Sequence, residues 1–198
     1  MTDRTLQYYN EHADSFIQGT ASVDFKQTQD RFAKKLECGD RILDFGCGSG
    51  RDTKYFLDQG YQVDAIDGSE ALCKSASKYT GIEVKQMKFQ ELDTIDLYDG
   101  IWACSSILHL SRAELKPVFD KMLIALKDKG FIYTSFKYGE FEGVRGERYF
   151  TDFTIGSFED FISHIRNITI EEYWITGDVR PGREEEKWLN LILRKTNF

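Results

Sequence analysis

Proline is scarce in this chain: two among 198 residues, Pro117 and Pro181. With no Pro/Ser-rich linker, no low-complexity stretch and no internal repeat, nothing divides the chain into separate units. Cysteine is also sparse. The four, at 38, 47, 73 and 104, include no CxxC pair. That removes the zinc-ribbon and thioredoxin-like readings and leaves free thiols. No apolar run approaches the roughly 18 residues of a membrane span. The opening MTDRTLQYYNEHADSF is polar and lacks the apolar core of a signal peptide. A cytoplasmic protein without a membrane partner is the expectation. Positive charge is in deficit, with 26 Lys and Arg against 33 Asp and Glu, a net charge of −7. Non-specific nucleic-acid binding rests on a basic field, so nucleic acid is not the expected partner. Oligomeric state leaves no mark in the sequence.

What is present suits one folded domain: 41% hydrophobic and 14% aromatic residues, in a chain long enough to bury a core without staples. From Arg41 onward, strand-like and helix-like stretches alternate. Strands are predicted at Arg41–Phe45, Tyr61–Asp67, Ile82–Met87, Gly100–Ser106 and Phe131–Phe136. Helices are predicted at 49–59, 70–79 and around 158–165. The clearest helix carries Leu115, Val118, Phe119, Met122, Leu123 and Leu126 on one face. Ser111 with Glu114 forms a capping box at its start, and Gly130 closes it. Two strands, near 168–176 and 187–194, finish the chain without a helix between them. Alternation of this kind predicts an α/β fold, a mostly parallel sheet with helices on both faces and an antiparallel hairpin at one edge. Two helices, Leu6–Phe16 and Phe25–Leu36, precede the first strand.

The loop FGCGSG at 45–50 follows the first strand directly. Glycine tolerates positive φ and lets a ligand approach the backbone, which accounts for Gly46, Gly48 and Gly50 together. A dinucleotide loop would need a third glycine at position 51, where Arg51 stands. The P-loop and the nucleophile elbow are both absent. Asp67 ends the second strand, 17 residues beyond Gly50, and offers two acceptor oxygens to a pair of adjacent hydroxyls. A helix cap shared with Ser69 would explain it equally well.

These stretches resemble the class I S-adenosylmethionine-dependent methyltransferases. DFGCGSG is similar to that family's motif I, with Asp44 at the acidic position and Gly46, Gly48 and Gly50 at the glycines, Cys47 between them and Arg51 just after. Asp67, followed by Gly68, resembles motif II, which binds the ribose hydroxyls. FQEL places Phe89, Gln90 and Glu91 where the family meets adenine, though the usual aspartate is missing. YDGIWACSSILHL at 98–110 resembles the motif IV strand, with Ala103, Cys104 and Ser105 beneath the sulfonium and His109 at a frequent histidine. The opening QYYNEHADSF resembles a cover helix, with Tyr8 and Phe16 over the ligand. Small-molecule and tellurite-resistance-type members are the most similar. The resemblance implies a three-layer Rossmann-like doubly wound fold of seven strands in a single domain, 1–198. Residues 1–40 would be an N-terminal helical cap and 41–198 the core that binds S-adenosylmethionine. It also implies methyl transfer to a small-molecule substrate.

Other residues bear on the acceptor. The DNA amino-methyltransferase motif, the Pro-Cys nucleophile and a metal-carboxylate cluster are all missing. Two segments, 136–150 and 176–188, look like substrate walls and would bring Tyr138, Arg145, Arg148, Tyr149, Arg180 and Arg183 toward the carboxyl edge of the sheet. Arginine forks suit carboxylate or phosphate, so an anionic acceptor is expected. Pairing with Glu140, Glu147, Asp178 or Glu184 on solvated loops is the alternative. His109 or Tyr138 would be the base where the acceptor carries a proton, although packing or orientation suits His109 as well. Methylation of RNA or protein, and cofactor binding without turnover, are the competing functions.

Overall fold

The computed structural model describes residues 3–180, 182, 183 and 185–196. Three short helices come first: α1 (Asp3–Glu11), α2 (Ala13–Thr20) and α3 (Lys26–Ala33). The first expected helix is thus two, because His12 leaves helical geometry at φ −113 and ψ 20. Leu6 and Ala13 are buried while Gln7 and Glu11 face solvent. That 3–4 spacing gives the first sixteen residues one inward face through Leu6, Tyr9, Ala13 and Phe16.

The core alternates β1 (Arg41–Phe45), α4 (Arg51–Asp58), β2 (Gln62–Asp67), α5 (Glu70–Thr80), β3 (Val84–Gln86), β4 (Tyr98–Ala103), α6 (Arg112–Ala125) and β5 (Leu126–Lys137). A two-stranded ribbon, β6 (Glu142–Arg145) with β7 (Arg148–Thr151), follows, then α7 (Ile155–Ser163), β8 (Ile168–Gly177) and β9 (Lys187–Lys195). The main sheet has seven strands in the order β3-β2-β1-β4-β5-β9-β8. β1 to β5 are parallel, and β9 runs antiparallel between β5 and β8, so the last hairpin forms one edge. Strand order reverses between β1 and β4. Crevices that take ligands lie outside the carboxyl ends of strands at such a point.

Period-two alternation in β1 separates two cores. Leu43 and Phe45 pack with Ile101, Phe119, Phe136 and Phe158 on the α6–α7 side. Ile42 packs with Phe32, Phe56, Trp102 and Tyr133 on the α3–α4 side. Trp102 stacks on Tyr133 at 3.9 Å between ring centroids. Burying each such side chain fully contributes about 1.5–3 kcal/mol. The capping box of α6 is formed: Ser111 Oγ accepts from the Glu114 N–H at 3.3 Å, and Glu114 Oε2 accepts from the Ser111 N–H at 2.9 Å. Its far end differs from expectation. Leu126 opens β5, and a bulge between the pairs Tyr98–Leu126 and Gly100–Phe131 absorbs Lys127–Gly130.

Candidate active site

The glycine loop is tied to the second strand before any ligand is considered. The N–H groups of Gly46 and Cys47 both donate to the carbonyl of Ile66, at 3.0 and 2.9 Å. Gly46 has φ +92, and a Cβ there would lie 2.5 Å from Ser106 Cβ. Gly48 has φ +55, and a Cβ there would lie 2.9 Å from the Phe16 ring. Both positions therefore demand glycine for backbone and for space. Gly50, at φ +79, is different: its space is closed by Thr80 and Ala76 of α5, so it serves helix packing.

Asp67 holds the loop from the other side. Its Oδ2 accepts from the Gly48 N–H at 2.9 Å and its Oδ1 from the Ser69 N–H at 2.8 Å. Ser69 Oγ itself caps α5, accepting from the Leu72 N–H at 3.2 Å. Burial raises the Asp67 pKa, and those N–H groups oppose the rise. Each oxygen keeps lone-pair capacity toward the cavity.

Asp44 does not reach that cavity. It points to the α4 side of β1 and accepts from Thr53 Oγ1 at 2.5 Å. Burial, reinforced by the nearby Asp52 carboxylate, pushes its pKa up to about 8. The acid on the cavity side is Asp52, at the start of α4. It accepts from Gln29 Nε2 at 2.7 Å, Trp102 Nε1 at 2.8 Å and Arg51 Nε at 2.8 Å. Burial would raise its pKa, but Arg51, Trp102 and Gln29 hold it below the usual carboxylate value. Arg51 stays charged through Asp52 despite its own burial, and lies over the Phe25 ring at 4.6 Å.

A cavity of about 340 Å³ opens beyond β1, β2, β4 and β5. Its floor is Gly46–Ser49, Asp67, Gly68 and Cys104–Ser106, with Phe89 and Leu72 at one side. Phe16, Val23 and Phe25 cover it from the N-terminal region, and β6–β7 together with Thr176–Arg180, Arg183, Glu186 and Trp188 borders the far end. Ser105 sits at φ +51, its N–H held by Ser135 Oγ at 2.9 Å, which turns the chain sharply at the end of β4.

At the far end a hydrogen-bonded chain of fixed polarity crosses three elements. His109 Nδ1 lies 2.6 Å from the carbonyl oxygen of Tyr149. A carbonyl only accepts, so Nδ1 carries the proton and Nε2 accepts from Tyr9 Oη at 2.8 Å. Tyr9 Oη in turn accepts from Arg148 Nη1 at 3.2 Å. Burial brings the His109 pKa down to about 3, and Arg148 adds to the effect. The imidazole is neutral, and its free lone pair is engaged by Tyr9. Burial raises the Tyr9 pKa, partly offset by Arg148.

Of the residues singled out from sequence, Gly46, Cys47, Gly48, Arg51, Asp67, Gly68, Phe89, Cys104, Ser105, His109, Arg145, Arg148, Arg180 and Arg183 line this one cavity. Others lie elsewhere. Ala103 is fully buried in β4. Gln90 donates to Glu114 at 3.3 Å and Glu91 accepts from the Lys88 N–H at 2.7 Å, both away from the cavity. Tyr138 is 37% exposed on the outer side of the β5 end. Tyr8 stacks on His12 at 4.4 Å, one helical step off the inward face, and supports Arg148 from behind at 4.7 Å. Tyr149 contributes its carbonyl to His109 while its hydroxyl donates to Glu142 at 3.0 Å. Sequence reasoning passed over Tyr9, Phe25, Asp52, Lys137, Trp188 and Asn190, which all line the cavity. Among the described residues there is no cluster of His, Cys, Asp and Glu suited to a metal ion.

The arginines differ in their partners. Arg145 Nη2 donates to Asp152 at 2.7 Å. Arg180 makes a two-point pair with Asp178, 2.9 Å from Nε and 2.5 Å from Nη2. Arg183 lies 3.7 Å from Glu186, which also pairs with Lys137. Glu140 and Glu147 do not take these arginines, and Glu184 lies outside the described residues. Arg148 has no carboxylate partner among the described residues.

A family profile described as a methyltransferase domain matches residues 42–130, the stretch from β1 to the bulge of β5. That stretch of the chain is therefore similar to a methyltransferase domain. Within the chain, 104 residues are 32% identical to a ubiquinone biosynthesis O-methyltransferase of Rhodopseudomonas palustris (strain TIE-1), covering 49% of this chain and 40% of that protein. The matches to curated relatives span at most 40% of those relatives' length. Among solved structures, the 1,6-didemethyltoxoflavin-N1-methyltransferase of Burkholderia thailandensis superposes with a TM-score of 0.75 at 20% identity. The match covers 97% of this chain and 85% of that one, which was crystallised with 1,6-didemethyltoxoflavin and S-adenosylhomocysteine. A TehB-like S-adenosylmethionine-dependent methyltransferase of Corynebacterium glutamicum superposes at 0.70 with 19% identity, covering 94% and 99% of the two chains. These structures share the fold of this chain.

The residues present fit S-adenosylmethionine, which the sequence resemblance implies. Two glycines at positive φ, each with a side chain under 3 Å from any added Cβ, clear the floor, a buried carboxylate with spare lone pairs faces the cavity, and Phe89 and Leu72 give an apolar wall. A sugar diol beside a flat base matches that set of groups.

Proposed function

We propose that the protein transfers a methyl group from S-adenosylmethionine to a small-molecule acceptor bound in the same cavity. The observation that carries this is one continuous, partly covered cavity. A single space of about 340 Å³ runs from the Asp67–glycine-loop floor to the Arg148–Tyr9 end, roofed by α1, α2 and the β6–β7 ribbon. Ligand sites for small molecules are typically about 300–1,000 Å³. A macromolecular acceptor would need an open face, and a nucleic acid also a basic one.

In this reading Asp67 holds the ribose hydroxyls, Gly68, Leu72 and Phe89 border the adenine, and the loop 46–49 passes beneath the amino-acid chain. When bound, S-adenosylmethionine supplies a methyl group on a sulfonium, already a good leaving group. The chain's own residues align the acceptor and exclude water. Phe16 and Phe25 shield the floor. Cys104 and Ser105, on the sharply turned backbone after β4, border the space between the two ends. His109 positions Tyr9 rather than acting as a free base: its acceptor lone pair is engaged, and its pKa of about 3 keeps it neutral at physiological pH. The acceptor is anionic or carries an anionic group, consistent with the cationic far end.

The test is turnover. The protein is incubated with S-adenosylmethionine and a panel of small acids, phenols, amines and thiols, and formation of S-adenosylhomocysteine is followed. Acceptor-dependent product is expected, and Asp67→Ala should lose at least about tenfold in cofactor affinity, since hydrogen bonds to a charged group contribute about 1.5–3 kcal/mol each. Cofactor binding with no turnover across the panel would point instead to a binding protein.

A further inference from the structure

We infer that Arg148 is an anion seat, and that the acceptor presents a carboxylate to it beside an apolar, flat body. The inference rests on the methyl-transfer reading of the cavity and names the chemical class of its second occupant.

Six cationic side chains line the cavity, and five are matched by acids. Arg51 is paired with Asp52, Arg145 with Asp152, Arg180 with Asp178, and Lys137 and Arg183 share Glu186. Arg148 is different. Its guanidinium lies over the rings of Tyr8 at 4.7 Å, Phe150 at 5.1 Å and Tyr9 at 5.7 Å, and its one hydrogen bond to a described residue goes to Tyr9 Oη at 3.2 Å. Among the described residues it has no carboxylate partner. A partly buried guanidinium has five donors, and leaving most of them without an anion is costly away from bulk water.

The surroundings keep that charge available. His109 is neutral, so it adds no positive charge beside Tyr9, and the other cations of the cavity are held by acids. Tyr9 donates its proton to His109 and therefore offers Arg148 only an acceptor. The carboxylates facing the same cavity, Asp52, Asp178 and Glu186, are already committed, and Asp67 is held by two backbone N–H groups. The aromatic bed holds the guanidinium plane by stacking, which leaves its edge free for a two-point contact. A carboxylate fits that edge in the bidentate geometry. Trp188, Phe150 and Val179 form an apolar border near it, suited to a planar ring.

Two probes separate charge from shape: benzoate, and its neutral amide, benzamide. Each is titrated calorimetrically into the full chain, alone and saturated with S-adenosylhomocysteine. Benzoate should bind the native protein at least about tenfold more tightly than benzamide, and Arg148→Gln should abolish the difference, while Arg148→Lys keeps part of it. Equal binding of the two probes, no measurable benzoate binding, or a preference that survives in Arg148→Gln would each overturn the anion seat. Failure of S-adenosylhomocysteine to bind would instead overturn the methyl-transfer reading, and the benzoate comparison in the unloaded protein would still decide the question of the seat.

Discussion

At the scale of single residues, two buried groups leave opposite marks on stability against pH. His109 has a folded pKa of about 3, below the ordinary value of 6.5. Between those values the unfolded chain binds more protons than the folded one, so its contribution is complete above pH 6.5 and is lost as pH falls toward 3. Asp44 has a folded pKa of about 8, above the ordinary 3.8. Its contribution is complete below pH 3.8 and is lost as pH rises through 8. Urea unfolding at pH 5 and at pH 8 distinguishes them. His109→Asn should be destabilised relative to wild type by more at pH 8 than at pH 5. Asp44→Asn should show the reverse, costing more at pH 5 than at pH 8. Parallel shifts at the two pH values would contradict the protonation states assigned here. The residue scale is also where sequence reading fell short. The motif QYYNEHADSF points to Tyr8, but the inward face runs through Leu6, Tyr9, Ala13 and Phe16, so the cavity tyrosine is the next one. The 3–4 spacing was present to be read. Asp52 had no such signal, because only the sheet order brings Trp102 and the N-terminal helices onto it.

At the scale of elements, the glycine loop is specific about which glycine does what. Gly46→Ala forces a Cβ into Ser106 at a backbone angle that side chains avoid. Strain and overpacking together should cost about 2–5 kcal/mol, read as a lowered urea midpoint at unchanged slope. Gly48→Ala pushes instead against the ring of Phe16, on the short helix α2. It should stay folded and lose cofactor affinity, and adding Phe16→Ala should restore part of that affinity. If Gly48→Ala alone binds S-adenosylhomocysteine normally, the contact between helix α2 and the loop does not bear on the site. Alternation made β1, β2, β4 and α6 legible before the structure was known, because their apolar periods are strong. The α6–β5 boundary was not: Leu126 continues the helical pattern, yet pairing with Tyr98 draws it into the strand. The β6–β7 ribbon was read only as a wall, since its glycines and charges hide the two-residue period.

At the scale of the whole molecule, the strand order 3-2-1-4-5-9-8 is what assembles the site. It sets the ends of β1 and β4 side by side, so Gly46 meets Ser106, and it leaves room above them for helices α1 and α2. The alternating pattern already implied a doubly wound sheet, but the closure by Tyr9, His109 and Arg148 depends on three segments far apart in the chain. A ligand that binds the folded state alone stabilises it by mass action, by about 2.7 kcal/mol at a hundredfold excess over Kd. The most direct measurement of the central claim is therefore calorimetric titration of S-adenosylhomocysteine into the native protein and into Asp67→Ala. The account predicts one site per chain, with affinity reduced at least about tenfold by the substitution. Absence of binding to the native protein, or equal binding by both, would contradict it.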